Sequence, residues 1–290
     1  MKVVCFNHAF DINSKDPFQI VYDPITRPLG THKEEIEKTV QSIAKEVTGD
    51  IFIFLSGGID SEIVAAEFFD AGIKFTAVSF EYENGANKHD VAYAIDFCKN
   101  KNIPHKIIPL NIQEFVSNKI PQYIEQGYIA LRIYRYLQIY MLEVAEELGG
   151  HAILGGREGE FRYVNDTICT GNGPWFNTGI DYCRRNNKQH YPAFYLHNPE
   201  IFASYLQSPL ITCMLSTPGY FNKLPTGLSL EKMLEYKRLY PWLVLRAKYN
   251  GFENLKPLWN SFIDTMGSKY PVHCEDYYVP VSVIKRQLGI

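Results

Sequence analysis

Chemistry-bearing side chains crowd into one hexapeptide, Ser56-Gly57-Gly58-Ile59-Asp60-Ser61. Two glycines let backbone N–H groups approach an anion without Cβ interference. Ser56 and Ser61 add hydroxyl donors, and Asp60 suits a divalent cation that bridges phosphates. Further along stand Arg132 and Arg135, three residues apart and suited to phosphate oxygens, with a solvated arginine pair as the plainer reading. Gly155 and Gly156 lead into Arg157, Glu158 and Glu160, whose two carboxylates suit Mg²⁺ on a polyphosphate. Together these residues describe a site for a nucleotide's phosphate chain. No Gly-Lys-Ser/Thr follows the glycines, so this is not a Walker A loop.

The flanking sequence supplies the elements that such a site needs. Asp50-Ile51-Phe52-Ile53-Phe54-Leu55 reads as a fully buried strand. Ile63 to Phe69 reads as the helix that follows. A strand that turns through glycines into a helix start aims free N–H groups and the helix dipole at an anion. Upstream, Thr31 and Glu34 form a capping box for a helix with Ile36, Val40, Ile43, Ala44 and Val47 on one face. Downstream, Phe75–Tyr82 reads as a second strand and Val91, Ala94, Ile95 and Cys98 as the stripe of another helix. Pro104 to Leu110 reads as an outer strand, because of its prolines. A long helix is expected from Tyr128 to Leu148, then a strand at His151–Leu154. Alternating strands and helices predict an α/β, doubly wound, mostly parallel sheet. Its ligand cleft lies at the carboxyl ends of the strands, among loops 56–61, 80–88 and 155–160.

The hexapeptide resembles the SGGxDS pyrophosphate loop of the N-type ATP pyrophosphatases, the PP-loop superfamily. Gln126 to Arg135 with Ala152 to Gly156 is similar to a second block found in NAD synthetase. The helix from Glu34 into Phe54-Leu55-Ser56-Gly57-Gly58 is most similar to the synthetase domain of asparagine synthetase. The resemblance spans about residues 34–165. It implies a five-stranded adenine nucleotide alpha hydrolase-like sheet, ATP and Mg²⁺ as cofactors, and Asp60 and Glu160 as metal ligands. It further implies that Leu55, Ser56, Gly57, Gly58, Ile59, Asp60, Ser61, Arg132, Gly155 and Gly156 bind the nucleotide, with Val78, Ser79 and Phe80 at adenine. Asp60, Ser61 and Arg132 would carry catalysis. The implied activity is adenylation of a substrate carboxylate or carbonyl oxygen with release of pyrophosphate, then amidation or amination with release of AMP. A tRNA- or nucleobase-modifying enzyme using the same adenylation is the alternative, and a non-catalytic ATP-binding protein a second one. Arg157 stands where the asparagine synthetase pattern is acidic, which leaves the choice between Glu158 and Glu160 open.

Bulk properties narrow the partners. The chain has 290 residues, 46% hydrophobic and 21% charged, with a formal net charge of −3. No global basic field exists for nucleic acid, which is not favoured as a partner. No signal peptide or run of about 18 apolar residues is present, so a cytoplasmic protein without membrane contact is expected. Six cysteines without a C-x-x-C pair read as reduced thiols. Position 2 is Lys2, not the cysteine of an N-terminal glutaminase, so ammonia or an amine must come from solution or a partner protein. The four-cysteine zinc cluster typical of 7-cyano-7-deazaguanine synthase is missing, which counts against that member. Homo-oligomerisation is left open.

The expected organisation is a lead-in over 1–33, the PP-loop domain over 34–165, and a mainly helical, aromatic-rich substrate or lid region over 166–290. Its aromatics hint at a flat or sugar-like small-molecule substrate. Lone His89 and His105 read as structural, and Arg184-Arg185-Asn186-Asn187-Lys188 as a solvated loop. Lys237, Arg238, Lys248, Lys285 and Arg286 are candidate cations to close over a transition state.

Overall fold

The computed structural model describes residues 4–5, 20–128, 130, 132–156, 161–164, 167–172, 177–216, 229–246, 252–266 and 278–290. Strands β1 (Val4–Cys5) and β2 (Ile20–Val21) form a small antiparallel pair. Helix α1 (His32–Glu46) starts at the Thr31/Glu34 capping box, both halves of which are present. Then come β3 (Asp50–Phe54), α2 (Ile59–Asp70), β4 (Thr76–Tyr82), α3 (Lys88–Lys101) and β5 (His105–Leu110). A helical stretch follows as α4 (Ile112–Glu114), a π-helical turn (Phe115–Lys119) and α5 (Ile120–Glu125), and then α6 (Ile133–Glu147) and β6 (Gly150–Leu154).

The central sheet is parallel in the order β5-β4-β3-β6. The chain builds outward from β3 to β5 and returns to the other side of β3 with β6, so the order reverses between β3 and β6. β5 with its Pro109 lies at the edge, as its prolines predict. The expected fifth strand is reduced to one parallel bridge, in which Tyr191 exchanges backbone hydrogen bonds with Ala152 and Leu154 on the far side of β6.

Strand alternation sorts the two cores. Ile51, Ile53, Leu55, Ala77 and Ile153 pack with α1, α2 and α3 on one face. Phe52, Phe54, Val78, Phe80, Ala152 and Leu154 pack with α5 and α6 on the other. Ile95 falls off the expected α3 stripe and is largely exposed, its place taken by buried Phe97.

The long helix begins at Ile133, later than the apolar pattern alone predicts. Gly127 in the left-handed region (φ 83°) closes α5. Ala130 N–H then donates to the buried Tyr136 hydroxyl at 3.1 Å rather than to a helical carbonyl. Arg132 is therefore the extended N-cap of α6.

Beyond β6 lie β7 (Phe161–Val164), β8 (Thr167–Gly171), α7 (Thr178–Asn186), α8 (Pro199–Leu206), α9 (Pro209–Ser216), α10 (Ser229–Leu239), α11 (Phe252–Met266), β9 (Tyr278–Pro280) and α12 (Val281–Leu288). β7, β8 and β9 form an antiparallel sheet that the sequence pattern did not reveal. The segment ambiguous between strand and helix is both, β9 and then α12. Arg184 and Arg185 sit in α7, not in a loop, and both pair with the buried Asp181 one turn earlier, at 3.0 and 2.8 Å. The aromatics Tyr191, Phe194 and Tyr195 are core residues packed with α1, α2 and α3 on one face of the central sheet. Among the described residues no helix is long and apolar enough to cross a membrane.

Candidate nucleotide site

The glycine turn leaves β3 at the point where the sheet order reverses, the place where open α/β sheets bind ligands. Gly57 has φ 72°, and a Cβ there would overlap the Asp90 carbonyl oxygen. Only glycine permits both the left-handed backbone and this close approach of α3. Gly58 is the N-cap of α2 and brings no side chain to the helix start, where the helix dipole favours an anion. Within the turn, Ser56 N–H donates to Ser61 Oγ at 3.3 Å, and Ser61 Oγ donates to Gly58 O at 3.0 Å. Ser56 is exposed on the lip, whereas Ser61 is buried beneath it.

β6 delivers its glycines directly against this turn. A Cβ at Gly155 would lie 2.8 Å from the Cα and N of Ser61. Gly156 follows with φ 64°. Arg132, the N-cap of α6, stands toward the carboxyl end of β6, because α6 runs back against the strand that follows it, and its side chain is exposed. Arg135 lies over the Tyr134 ring at 5.1 Å. Glu158 and Glu160, with Arg157, lie outside the described residues, as do Trp175, Phe176 and Lys248.

At the expected adenine position, the side chains of Val78, Ser79 and Phe80 are buried. Val78 O accepts from Leu55 N at 2.8 Å, and Phe80 O accepts from Asn87 Nδ2 at 2.9 Å. Ser79 Oγ donates to Leu55 O at 2.7 Å, so the neighbouring His105 Nε2, 2.9 Å away, is the protonated ring nitrogen. Burial lowers the His105 pKa, consistent with a neutral structural imidazole. His89 is exposed, 3.6 Å from Asp90 Oδ1.

Two cations at the turn escaped sequence reasoning. Lys232 of α10 pairs with Asp60 Oδ1 at 2.7 Å. Arg246 donates to Gly57 O from Nε at 3.1 Å and from Nη2 at 2.9 Å, and pairs with Glu62. Tyr195 contributes as well, donating its hydroxyl to Asp60 O at 3.0 Å. These residues lie 135 to 189 positions away from their partners, beyond the reach of any local spacing rule.

The arrangement fits a phosphate chain: a helix start with glycine at its N-cap, a turn whose two glycines lack Cβ atoms, hydroxyls, and cations alongside. For magnesium, Asp60 is the fitting carboxylate, with phosphate oxygens and water to complete the shell. Among the described residues no group of three His, Cys, Asp or Glu could hold a metal alone. Cys98, Cys169, Cys183 and Cys213 are free thiols.

Residues 50–125 match the family model described as Queuosine biosynthesis protein QueC. The 7-cyano-7-deazaguanine synthases of Methanoregula boonei and Desulfotalea psychrophila are 35% identical over 60 residues and 36% identical over 61. Each alignment covers 21% of this chain, which spans little more than a quarter of those relatives' length, 27% and 28%. NMN synthetase from Francisella tularensis aligns over 84% of this chain and 98% of its own at 15% identity, with a TM-score of 0.35. NH3-dependent NAD synthetase from Campylobacter jejuni aligns over 84% and 99% at 18% identity, with a TM-score of 0.31.

The stretch from β3 to α5 is thus similar to the PP-loop ATP pyrophosphatases of the QueC type. The specific likeness to asparagine synthetase is not what these relatives bring out. A member marked down for its missing zinc cysteines is among the relatives, and the family-model match lies within residues 50–125.

Proposed function

We propose that the protein is an ATP-dependent, AMP-forming adenylating enzyme acting on a small molecule. A carboxylate or carbonyl oxygen of the substrate attacks the α-phosphorus of ATP, the α–β bridge breaks, and pyrophosphate leaves. A nitrogen nucleophile then attacks the adenylated carbon and AMP leaves. The observation that carries this reading is the glycine turn at the sheet's reversal point, with Gly57 pressed on Asp90 and Gly155 on Ser61. In this reading the first turn of α2 and Ser56, Ser61 and Lys232 hold the phosphates. Arg132 meets the α-phosphate side, and backbone groups of Val78 to Phe80 meet adenine. Magnesium, held by Asp60 and in part by Glu160, would neutralise the leaving pyrophosphate. The protein's work is positioning and charge stabilisation rather than covalent catalysis.

The curated relatives are named for a modified nucleobase, which supports a nucleobase-like heterocycle as substrate over an amino acid. The test is a screen of the full chain with Mg²⁺ and ATP against carboxylate-bearing heterocycles and amino acids, reading AMP and pyrophosphate. Asp60→Ala should abolish AMP formation with the fold intact. Release of ADP and phosphate instead, or undiminished AMP formation by Asp60→Ala, would sink the proposal.

A further inference from the structure

We propose that Arg246 is a positioning residue that locks the Gly57–Gly58 peptide with its N–H turned toward the pyrophosphate half of the nucleotide; this rests on the function proposed above. A peptide between two glycines meets little steric resistance to flipping, since neither side carries a Cβ. A phosphate cradle built on such a peptide therefore needs something to hold its orientation. The chain has no cis peptide among the described residues, and in a trans peptide C=O and N–H point to opposite sides. Fixing the Gly57 oxygen on one side thus fixes the Gly58 N–H on the other.

Arg246 supplies that fixation. Nε and Nη2 both donate to Gly57 O, at 3.1 and 2.9 Å. Its side chain is only 6% exposed and pairs with Glu62, itself 9% exposed, on the first turn of α2. The guanidinium also lies 4.6 Å from the ring centroid of Tyr93 on α3. The Tyr93 ring beneath it and the pair with Glu62 set the direction of the fork, so a flipped carbonyl would turn away from both of its donors. A flip would leave a buried cationic donor without its acceptor, which is costly. Because the Gly57 carbonyl is already taken by Arg246, this cation acts through the peptide and not as a phosphate ligand.

The test measures binding of inorganic pyrophosphate with Mg²⁺, and separately of AMP, by calorimetry on the full chain. Arg246→Lys keeps the charge but loses the two-pronged contact. It should weaken pyrophosphate at least tenfold and change AMP less than twofold. Since Arg246→Lys also disturbs a buried pair, the double variant Arg246→Met with Glu62→Met, which removes both charges together, is measured beside it and should show the same split. Equal losses for both ligands would mean a merely structural role and overturn the proposal, as would undiminished pyrophosphate binding. Failure of the wild-type chain to bind either ligand would instead remove the adenylating function, and this inference with it.

Discussion

Gly155→Ala isolates the geometry of the site from the strain of its backbone. Gly155 does not occupy the left-handed region, so alanine there meets no conformational penalty of its own. Its Cβ would stand 2.8 Å from the N and Cα of Ser61, where ordinary contact begins at 3.4 Å. These are backbone atoms and cannot rotate aside, so β6 and the first turn of α2 must part by about 0.6 Å, the difference between those distances. Overpacking of this kind costs about 1–3 kcal/mol of stability. Its effect on turnover should be larger, because a misplacement of about 1 Å costs on the order of a hundredfold in rate. A loss of roughly tenfold or more in AMP formation is therefore expected at saturating ATP. The control is Gly72→Ala, at φ 70° with nothing within 4 Å of the added Cβ. It carries the left-handed cost of about 1–2 kcal/mol but sits at the far end of α2, and should leave turnover unchanged. Both variants are followed by thermal unfolding and by AMP production. Wild-type turnover in Gly155→Ala, or equal losses in the two variants, would refute the idea that the β6 glycine sets the phosphate site.

Two further outcomes follow from the charges. Lys232→Met removes the partner of Asp60 in a contact of 2.7 Å and should cost on the order of 1 kcal/mol for a partly exposed pair. That deficit should grow when Mg²⁺ and pyrophosphate are added, because a chain lacking a phosphate-holding lysine binds them more weakly and is stabilised less; an unchanged deficit by thermal unfolding would remove Lys232 from the phosphate site. His32, hydrogen-bonded to Ser204 and near Tyr236, has its pKa lowered from 6.5 to about 3, chiefly by burial and next by Lys232. The folded state thus binds fewer protons than the unfolded state between those values. Its contribution is complete above pH 6.5 and is lost as pH falls toward 3, amounting to about 2 kcal/mol by pH 5. Denaturant titrations at pH 7 and 5 check this, and His32→Asn should flatten the slope in that window. Glu35, depressed to about 2 against its burial by bonds from Arg27, Lys38 and Gly30, acts only at lower pH, between 4.5 and about 2.

Local signals were legible in the sequence because local physics writes them. The capping box at Thr31, the buried run of β3, the glycine turn and the outer position of β5 each follow from residues within a few positions of one another. The elements that eluded reading depend on side-chain contacts that no local spacing rule encodes. Tyr136 reaches back to Ala130 and delays α6 to Ile133. Tyr191 reduces a fifth strand to one bridge, because its neighbours turn at once toward Phe194 and Tyr195 in the core. Of the aromatics that hinted at a flat substrate, Tyr191, Phe194 and Tyr195 pack in that core and Tyr182 in the one on the opposite face of the sheet. The expected late cations were chosen from charge alone, and of these Lys237 instead donates to Leu243 O at 2.6 Å within its own segment.

The division between local and distant also bears on where specificity resides. The stretch shared with the QueC-type model, 50–125, carries β3, the glycine turn, α2 and β4. It does not carry Gly155, Tyr195, Lys232 or Arg246, which complete the site from the other half. A cradle held only by its own strand and helix would accept any polyphosphate that fits the turn. Here the Gly57 carbonyl and the Asp60 carboxylate are both held by residues from the C-terminal region. Any movement of α10 or of the segment to Arg246 must therefore alter the glycine turn and Asp60 directly. If the C-terminal region binds the acceptor, acceptor and ATP affinities must be coupled by the same factor in each direction. Measuring the ATP dissociation constant with and without an active acceptor decides it: equal constants would show the two halves to be energetically independent, despite the contacts that join them.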